Sequence, residues 1–243
     1  IPEDNIVSLQ EENTALQAFV DSINATGCMD TLACNYQDLS LYDDGSCEYP
    51  EQGFDCDGYV IAEIGDEFQG GLLFYIDETG KHGMVTAKNN YHLSWGCSYL
   101  ASWGCESVYV DGATDVSIGA GYSNTLAIVN SMEDNNCSTT DGELSGAEFC
   151  LNFEYDGFAD WHLPSINELL LSYETIPSSE LNHVNDAMIP YFMSSNQHTG
   201  IEYWQGFATT MMDNLCWSVD MSEGSVQPSW KHQLDVIRPV RYF

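Results

Sequence analysis

Positive charge is almost missing from this 243-residue chain: five Lys and Arg stand against 38 Asp and Glu, a formal net charge of −33. A surface so acidic repels phosphate backbones and anionic lipid headgroups, which argues against nucleic acid or membrane binding. It favours cations and suits a salty medium that screens its self-repulsion. No apolar run approaches the ~20 residues needed to cross a bilayer. The chain shows no initiator Met and no signal peptide, so a processed or partial product is expected. Motifs for chemistry are missing too. The six His are scattered, with no HExxH or CxxC…HxxxH spacing for zinc, and there is no GxSxG nucleophile elbow.

What is present is ample core material and many cysteines. Apolar residues make up 44% of the chain, with six Trp, ten Phe and fourteen Tyr, enough to exclude global disorder. Nine Cys in tight local spacings, without zinc or redox motifs, point to an oxidising compartment and hence to an extracellular protein.

Three segments separate. In residues 1–26, Ile6, Leu9, Asn13, Leu16, Val20 and Ile23 follow 3-4 spacing, with Asn13 as a polar a position. A buried Asn fixes register at a cost in stability, a device that only an assembled helix needs. The reading is the end of a coiled-coil stalk, trimeric by preference with a dimer as the alternative; a single amphipathic helix packed on its own domain is the competing reading. Residues 27–58 hold "GCMDTLACNYQDLSLYDDGSC" and almost no aliphatic core. Residues 59–243 form one Trp- and Gly-rich domain. In it "GGLLFYIDETGKHGMVTA" reads as a hairpin with Leu73, Tyr75 and Ile76 on one side. "YSNTLAIVNSM" reads as a helix capped by Ser123, with Leu126, Ile128 and Val129 inward, and "GELSGAEFCLNF" as a further helix. "LPSINELLLSYETI" starts with an S-x-x-E capping box, Ser165 to Glu168. The tail alternates in short runs, as antiparallel strands do, and the whole reads as α+β.

Two resemblances emerge at these residues. "IGDEFQGGLLFYIDETGKHGMVTA", "WGC" at 95–97, "IGAGYSNTLAIV", "YDGFADWHLPSINEL", "EYW" at 202–204 and "IRPVRYF" resemble, in order, the Lcl-type C-terminal domain of collagen-like bacterial adhesins. That family is C-type-lectin-like. "GC-x-D-x-x-A-x-N-Y … DDGSC" resembles short Cys/Asp-rich repeats of secreted marine bacterial and viral proteins. The first resemblance implies a lectin-like scaffold whose loops and late strands display a ligand surface, without catalytic apparatus. The E-P-N, Q-P-D and W-N-D tripeptides of calcium-dependent sugar sites are absent; "VQPSW" and "LCWSVD" are near-misses.

Disulfides account for most cysteines. Cys28 with Cys47 and Cys34 with Cys56 would staple the 27–58 segment, each worth ~3 kcal/mol in the chain-entropy view. Cys97, Cys105, Cys137 and Cys150 leave three pairings open, with Cys97–Cys105 and Cys137–Cys150 preferred; Cys216 is expected to be a free buried thiol. Asp30, Asn35, Asp38, Asp43 and Asp44 place hard oxygens in one stapled loop, so calcium is the cofactor expected; turn-capping is the competing role. Asp160-Trp161-His162 sets a carboxylate near an imidazole, but directly before a capped helix, and no enzymatic role is expected. For recognition the candidates are Phe207, Met211, Met212, Asn214, Trp230 and His232, adaptable or aromatic side chains on late strands, with Trp204 and Trp217 expected in the core. The function expected is an extracellular adhesin or receptor-binding head on an oligomeric fibre, binding a cell-surface glycan or protein. The alternative is a structural subunit of an extracellular filament.

Overall fold

A computed structural model of the chain describes residues 3–23, 26–88, 100–139, 143–177, 191–199, 202–204, 207–209 and 211–243. The chain divides into two compact units, Ile1–Ile61 and Ala62–Phe243. The sequence reading put this boundary between 58 and 59.

Unit 1 opens with a helix, α1 (Glu3–Ile23). The segment contains no Gly or Pro and is rich in Ala, Leu, Gln and Glu, good helix formers. Leu16, Phe19 and Val20 are exposed. A short parallel ladder follows, β1 (Thr26–Gly27) on β2 (Tyr42–Asp43), with Thr26 opposite Tyr42. The module around it buries little beyond Cys28, Ala33 and Ser40. Its order comes from covalent staples. Cys28–Cys47 and Cys34–Cys56 form as expected, with Cα separations of 4.7 and 5.1 Å.

Unit 2 is α+β. It runs β3 (Glu67–Phe68), β4 (Gly71–Ile76), β5 (Gly83–Thr86), β6 (Leu100–Ala101), α2 (Gly121–Asp134), α3 (Gly146–Asn152) and α4 (Ile166–Thr175). There follow β7 (Tyr191–Gln197), β8 (Glu202–Trp204), β9 (Phe207–Thr209), β10 (Leu215–Asp220), β11 (Ser225–Trp230), β12 (Asp235–Val236) and β13 (Val240–Tyr242). A five-stranded sheet has the order β11-β10-β7-β12-β6 and a four-stranded sheet the order β13-β5-β4-β3. The β4–β5 hairpin pairs Leu73 with Val85 and Tyr75 with Met84, with a bulge between. That sheet has no one-sided pattern, because Leu72, Leu73 and Phe74 are all buried.

Two apolar clusters explain why. One gathers Trp103, Ile128, Met132, Leu163, Met193 and Cys216, joining the five-stranded sheet to α2. The other gathers Leu72, Phe74, Leu169, Phe192, Val219 and Val240, joining the two sheets and α4. The five-stranded sheet is therefore covered on both faces, and β7 at its centre is buried almost throughout. Yet β7 reads "YFMSSNQ", and its polar side chains replace the usual apolar run. The Asn196 side chain accepts from the Ile166 amide (2.8 Å) and donates to the Asp115 carbonyl (2.7 Å). Ser194 donates to the Trp217 carbonyl, and Gln197 donates to that of Leu215. Partners of this kind offset the cost of burying polar groups.

The helix starts follow capping chemistry. Ser165 and Glu168 close the expected box on α4. A second box, Ser145 with Glu148, starts α3. The same S-x-x-E signal stands in "LSGAE". On α2 the expectation fails. The helix begins at Gly121, not after Ser123, whose hydroxyl instead donates back to the Ala120 carbonyl. Its inward residues are Asn124, Thr125, Ile128 and Met132, with Leu126 and Val129 half-buried.

The missing cap on α2 is supplied from α4. Glu168 is fully buried, and its Oε1 accepts from the amides of Gly119 (2.9 Å) and Gly121 (3.3 Å) and from the Tyr242 hydroxyl (2.6 Å). Its Oε2 accepts from the Ser165 amide (2.9 Å) and lies 3.4 Å from His162 Nε2. A Cβ on Gly121 would collide with that carboxylate and come within 2.7 Å of the His162 ring, so the approach requires glycine. Burial alone would raise the Glu168 pKa; the bond and charge of His162, with Tyr242 and the Ser165 amide, outweigh it and hold it below 4.5. Burial and the neighbouring Glu168 charge push Tyr242 up in turn.

The remaining cysteines revise the expected pairing. Cys105 bonds Cys137 across 32 residues, with a Cα separation of 6.0 Å, and Cys150 is a free, fully buried thiol like Cys216. The physical reason is that Cys150 sits on the inward face of α3, within the cluster beneath the sheet, whereas Cys137 follows the end of α2 facing Cys105. Cys97 lies outside the described residues. Burial pushes both free thiols up, well away from the reactive thiolate range.

Two outcomes follow from these contacts. Glu168→Gln should lower stability by about 3 kcal/mol near neutral pH, because an amide group faces donors that need an acceptor. A depressed carboxylate stabilises above its unfolded pKa, and that contribution is lost as pH falls through the folded one. The gap between wild type and variant should therefore narrow in urea titrations as pH drops below the 4.5 of an ordinary Glu. In peptide mapping, Cys105 should be recovered linked to Cys137. Cys150 and Cys216 should alkylate only after denaturation; alkylation of Cys150 in the native protein would contradict its place in the core.

Candidate functional site

The edge strand β11 ends at the recognition candidate Trp230, and the candidate His232 follows two residues later. Paired residues share a face, so Val226, Pro228 and Trp230 stand beside Val219, Trp217 and Leu215 of β10. At the inner strand these side chains are buried or half-buried; at the edge Val226 and Trp230 remain 38% and 40% exposed. Trp217 is half-buried, not core, and packs 4.2 Å from the His198 ring.

Beyond β11 the chain turns tightly, with the Gln233 amide donating to the Trp230 carbonyl (2.8 Å). The turn presents Trp230 and His232 as a near-parallel pair with ring centroids 5.8 Å apart. His232 Nδ1 lies 2.6 Å from Glu106 Oε1, and both side chains are about half exposed. The carboxylate thus orients the imidazole, and the imidazole backs the indole. Ring, ring and carboxylate together make an amphipathic surface, the kind that Trp-centred recognition uses.

The turn is held from below by Lys231. Its side chain is fully buried, with Nζ donating to the Val108 carbonyl and to Gln197 Oε1 (2.7 Å), and lying 4.5 Å from the Trp103 ring centroid. Burial pushes its pKa down to about 8. The Lys231 amide donates to the Asn214 carbonyl (2.9 Å), and its own carbonyl accepts from Trp103. Alternation along the chain therefore puts Lys231 into the core and Trp230 and His232 out of it. The lysine was not among the sequence candidates; the signal was one cation between two aromatic-type residues in a chain with five.

The other candidates fare differently. Asn214 is half-buried, and its side-chain oxygen accepts from the Ser107 amide (2.7 Å) and hydroxyl, so it ties a loop instead of facing ligand. Phe207 lies in β9, and Met211 and Met212 lie in the 3₁₀ turn Met211–Asn214; the side chains of these three and of Trp204 lie outside the described residues.

The expected calcium ligands act as turn caps. Asp30 Oδ1 accepts from the Leu32 amide (2.9 Å), Asp43 from Gly45 (3.0 Å) and Asp44 from Ser46 (3.0 Å). Asn35 accepts from the Glu48 amide and donates to the Ser46 carbonyl, and Asp38 is exposed. The Leu32 amide and the Tyr49 hydroxyl hold Asp30 below the ordinary carboxylate range. No group of three or more His, Cys, Asp or Glu gathers around a cation-sized space among the described residues.

Asp160 and His162 do not face each other as an acid–base pair. Asp160 makes a two-bond contact with Arg241 (2.6 and 3.1 Å), while His162 points Nε2 at Glu168 and stacks on Tyr242 at 5.1 Å. A cleft of about 400 Å³ beside them is lined by Tyr122, Leu151, Asp160, Trp161, His162 and Tyr242.

The sequence model of the Lcl C-terminal domain matches residues 84–241. No curated protein matches the chain. The matched span runs from β5 to β13 and includes both capping boxes, the Glu168 centre and the β11 edge, and on that match the chain belongs to the Lcl C-terminal domain family.

Proposed function

We propose that this protein is an extracellular receptor-binding head, an adhesin on a C-type-lectin-like scaffold at the tip of an oligomeric fibre. The observation that carries this reading is the exposed Trp230–His232 pair, braced by Glu106 on a turn anchored beneath by Lys231. Trp230 keeps 40% of its surface in solvent while stacked on His232, and preorganised aromatics are the usual anchors of binding surfaces.

Charge narrows the ligand. Lys231, Arg238 and Arg241, three of the five cations, are buried, which leaves the outer surface almost wholly acidic. The ligand is therefore a neutral glycan or a protein surface, not a sulfated or phosphorylated polymer. Bridged cysteines support an extracellular setting, and no helix among the described residues is long and apolar enough to cross a membrane. Assembly runs through α1, as a trimer or else a dimer, and several weak heads on one stalk gain avidity. In this reading the contacts come from aromatic stacking and one carboxylate at the β11 edge, separate from the 30–44 loop expected to hold calcium.

Binding of the purified protein to neutral-glycan arrays and to intact cells tests this directly. Trp230→Ala should reduce binding at least about tenfold, the scale of an interface hot spot, with the thermal midpoint nearly unchanged. Glu106→Gln should weaken it less, and a chelator should leave it intact. Undiminished binding by Trp230→Ala would remove this surface from the function.

A further inference from the structure

The cleft beside Asp160 and His162 shares no residue with the β11 edge. Its volume, about 400 Å³, falls within the ~300–1,000 Å³ range of small-molecule sites. Most polar atoms in its walls are already answered. The Trp161 indole donates to the Phe158 carbonyl (3.1 Å), the Tyr242 hydroxyl donates to Glu168 (2.6 Å), and Asp160 is gripped by Arg241. One atom is not: His162 Nδ1 is buried with no hydrogen-bond partner among the described residues. Proteins rarely leave a buried polar atom so, and an unanswered one marks where a further group belongs.

The imidazole is locked in this position. The His162 and Val240 backbones pair in both directions (2.8 and 3.0 Å), and the ring stacks on Tyr242 at 5.1 Å. Its Nε2–Cδ2 edge faces α4 and the start of α2. Nε2 lies 3.4 Å from the Glu168 carboxylate, and a Cβ on Gly121 would stand 2.7 Å from Cδ2. Nδ1 is on the opposite edge of the ring, turned away from both, and the ring forms part of the cleft wall. A carboxylate only accepts, so Nε2 carries the proton, and Nδ1 of the neutral ring is an acceptor without a donor.

We propose that this cleft is a second binding site, for a neutral hydroxyl-bearing ring of the size of one sugar unit, with one hydroxyl donating to His162 Nδ1 directly or through a single water. The walls select that class. The Asp160 side chain is 57% exposed, and its carboxylate keeps lone pairs beyond the two that Arg241 uses, so it accepts from further hydroxyls. Tyr122 stands edge-on to the His162 ring at 6.1 Å and is 45% exposed, which offers an apolar face with a polar tip. An anion would meet Asp160 in a chain of net charge −33. A cation would find that carboxylate already paired. No third His, Cys, Asp or Glu joins His162 and Asp160 to hold a metal ion among the described residues.

Nuclear magnetic resonance titration of the isotope-labelled full chain with methyl glycosides of glucose, galactose, mannose, fucose and N-acetylglucosamine tests this. At least one should bind with a Kd on the order of 1 mM and shift the amides of residues 122, 151 and 160–162. The His162 Nδ1 resonance should move toward that of a nitrogen accepting a hydrogen bond, a change that a merely structural histidine would not show. Ala159 is exposed on the cleft wall, so Ala159→Trp should fill the space and weaken binding about tenfold or more. Tyr122→Ala should weaken it to a similar degree, and the amide spectrum shows whether each variant is folded. No saturable binding of any glycoside, shifts confined to residues 226–232, Nδ1 unmoved at saturation, or unaltered affinity in the folded variants would each overturn the assignment. Tighter binding of choline than of every glycoside would overturn the ligand class, because a quaternary ammonium has no hydrogen to donate.

Discussion

One buried carboxylate organises unit 2. Glu168 begins as a local device, the third helical residue of a capping box, and ends as the acceptor for the start of another helix and for the C-terminal strand. Its two oxygens satisfy donors from residues 119 and 121, from Ser165 and from Tyr242, with His162 alongside. A charge so buried is tolerable only because donors and a histidine ring surround it. The consequence is positional: the N-termini of α2 and α4 and the last strand are fixed relative to one point. Gly121 shows how tight that arrangement is, since no side chain fits there.

β7 extends the same logic to the sheet. A central strand covered on both faces would ordinarily be a run of Val and Ile. Here Ser194, Ser195, Asn196 and Gln197 are fully buried and bond to segments distant in sequence. Such a network specifies which loop meets which strand, where an apolar run would only supply area. Arg241 does similar work at the other sheet, gripping Asp160 and the Gln69 carbonyl while lying 3.9 Å from the Phe158 ring.

These features also explain what the sequence could and could not disclose. Local signals were legible: the S-x-x-E box at Ser165, the β4–β5 hairpin, and the two staples of the 27–58 segment, where close spacing left few partners. Signals that depend on distant residues were not. Ser123 was a reasonable cap by spacing, but the α2 amides found Glu168 instead. The Cys105–Cys137 bond joins positions that only the packing of α2 brings together, and "YFMSSNQ" gave no strand signal because its burial is bought with hydrogen bonds instead of hydrophobicity. Among site residues, exposure of Trp230 and His232 followed from strand alternation; the Ser107 bond to Asn214 did not.

The two units thus solve the problem of order by different means, and the difference bears on function. Unit 1 has too little core and relies on covalent closure, which fixes shape while leaving apolar side chains outward. Unit 2 has a full core, and its polar cross-links lie underneath the β11 edge. Lys231 is the clearest case: it anchors the turn through Val108, Gln197 and Trp103, none of which needs the outward residues on either side. Trp230 and His232 can therefore change identity without loosening the turn that carries them. Support and outward contacts are thus separate at this edge, and that separation is the physical basis on which the proposed binding role stands or falls.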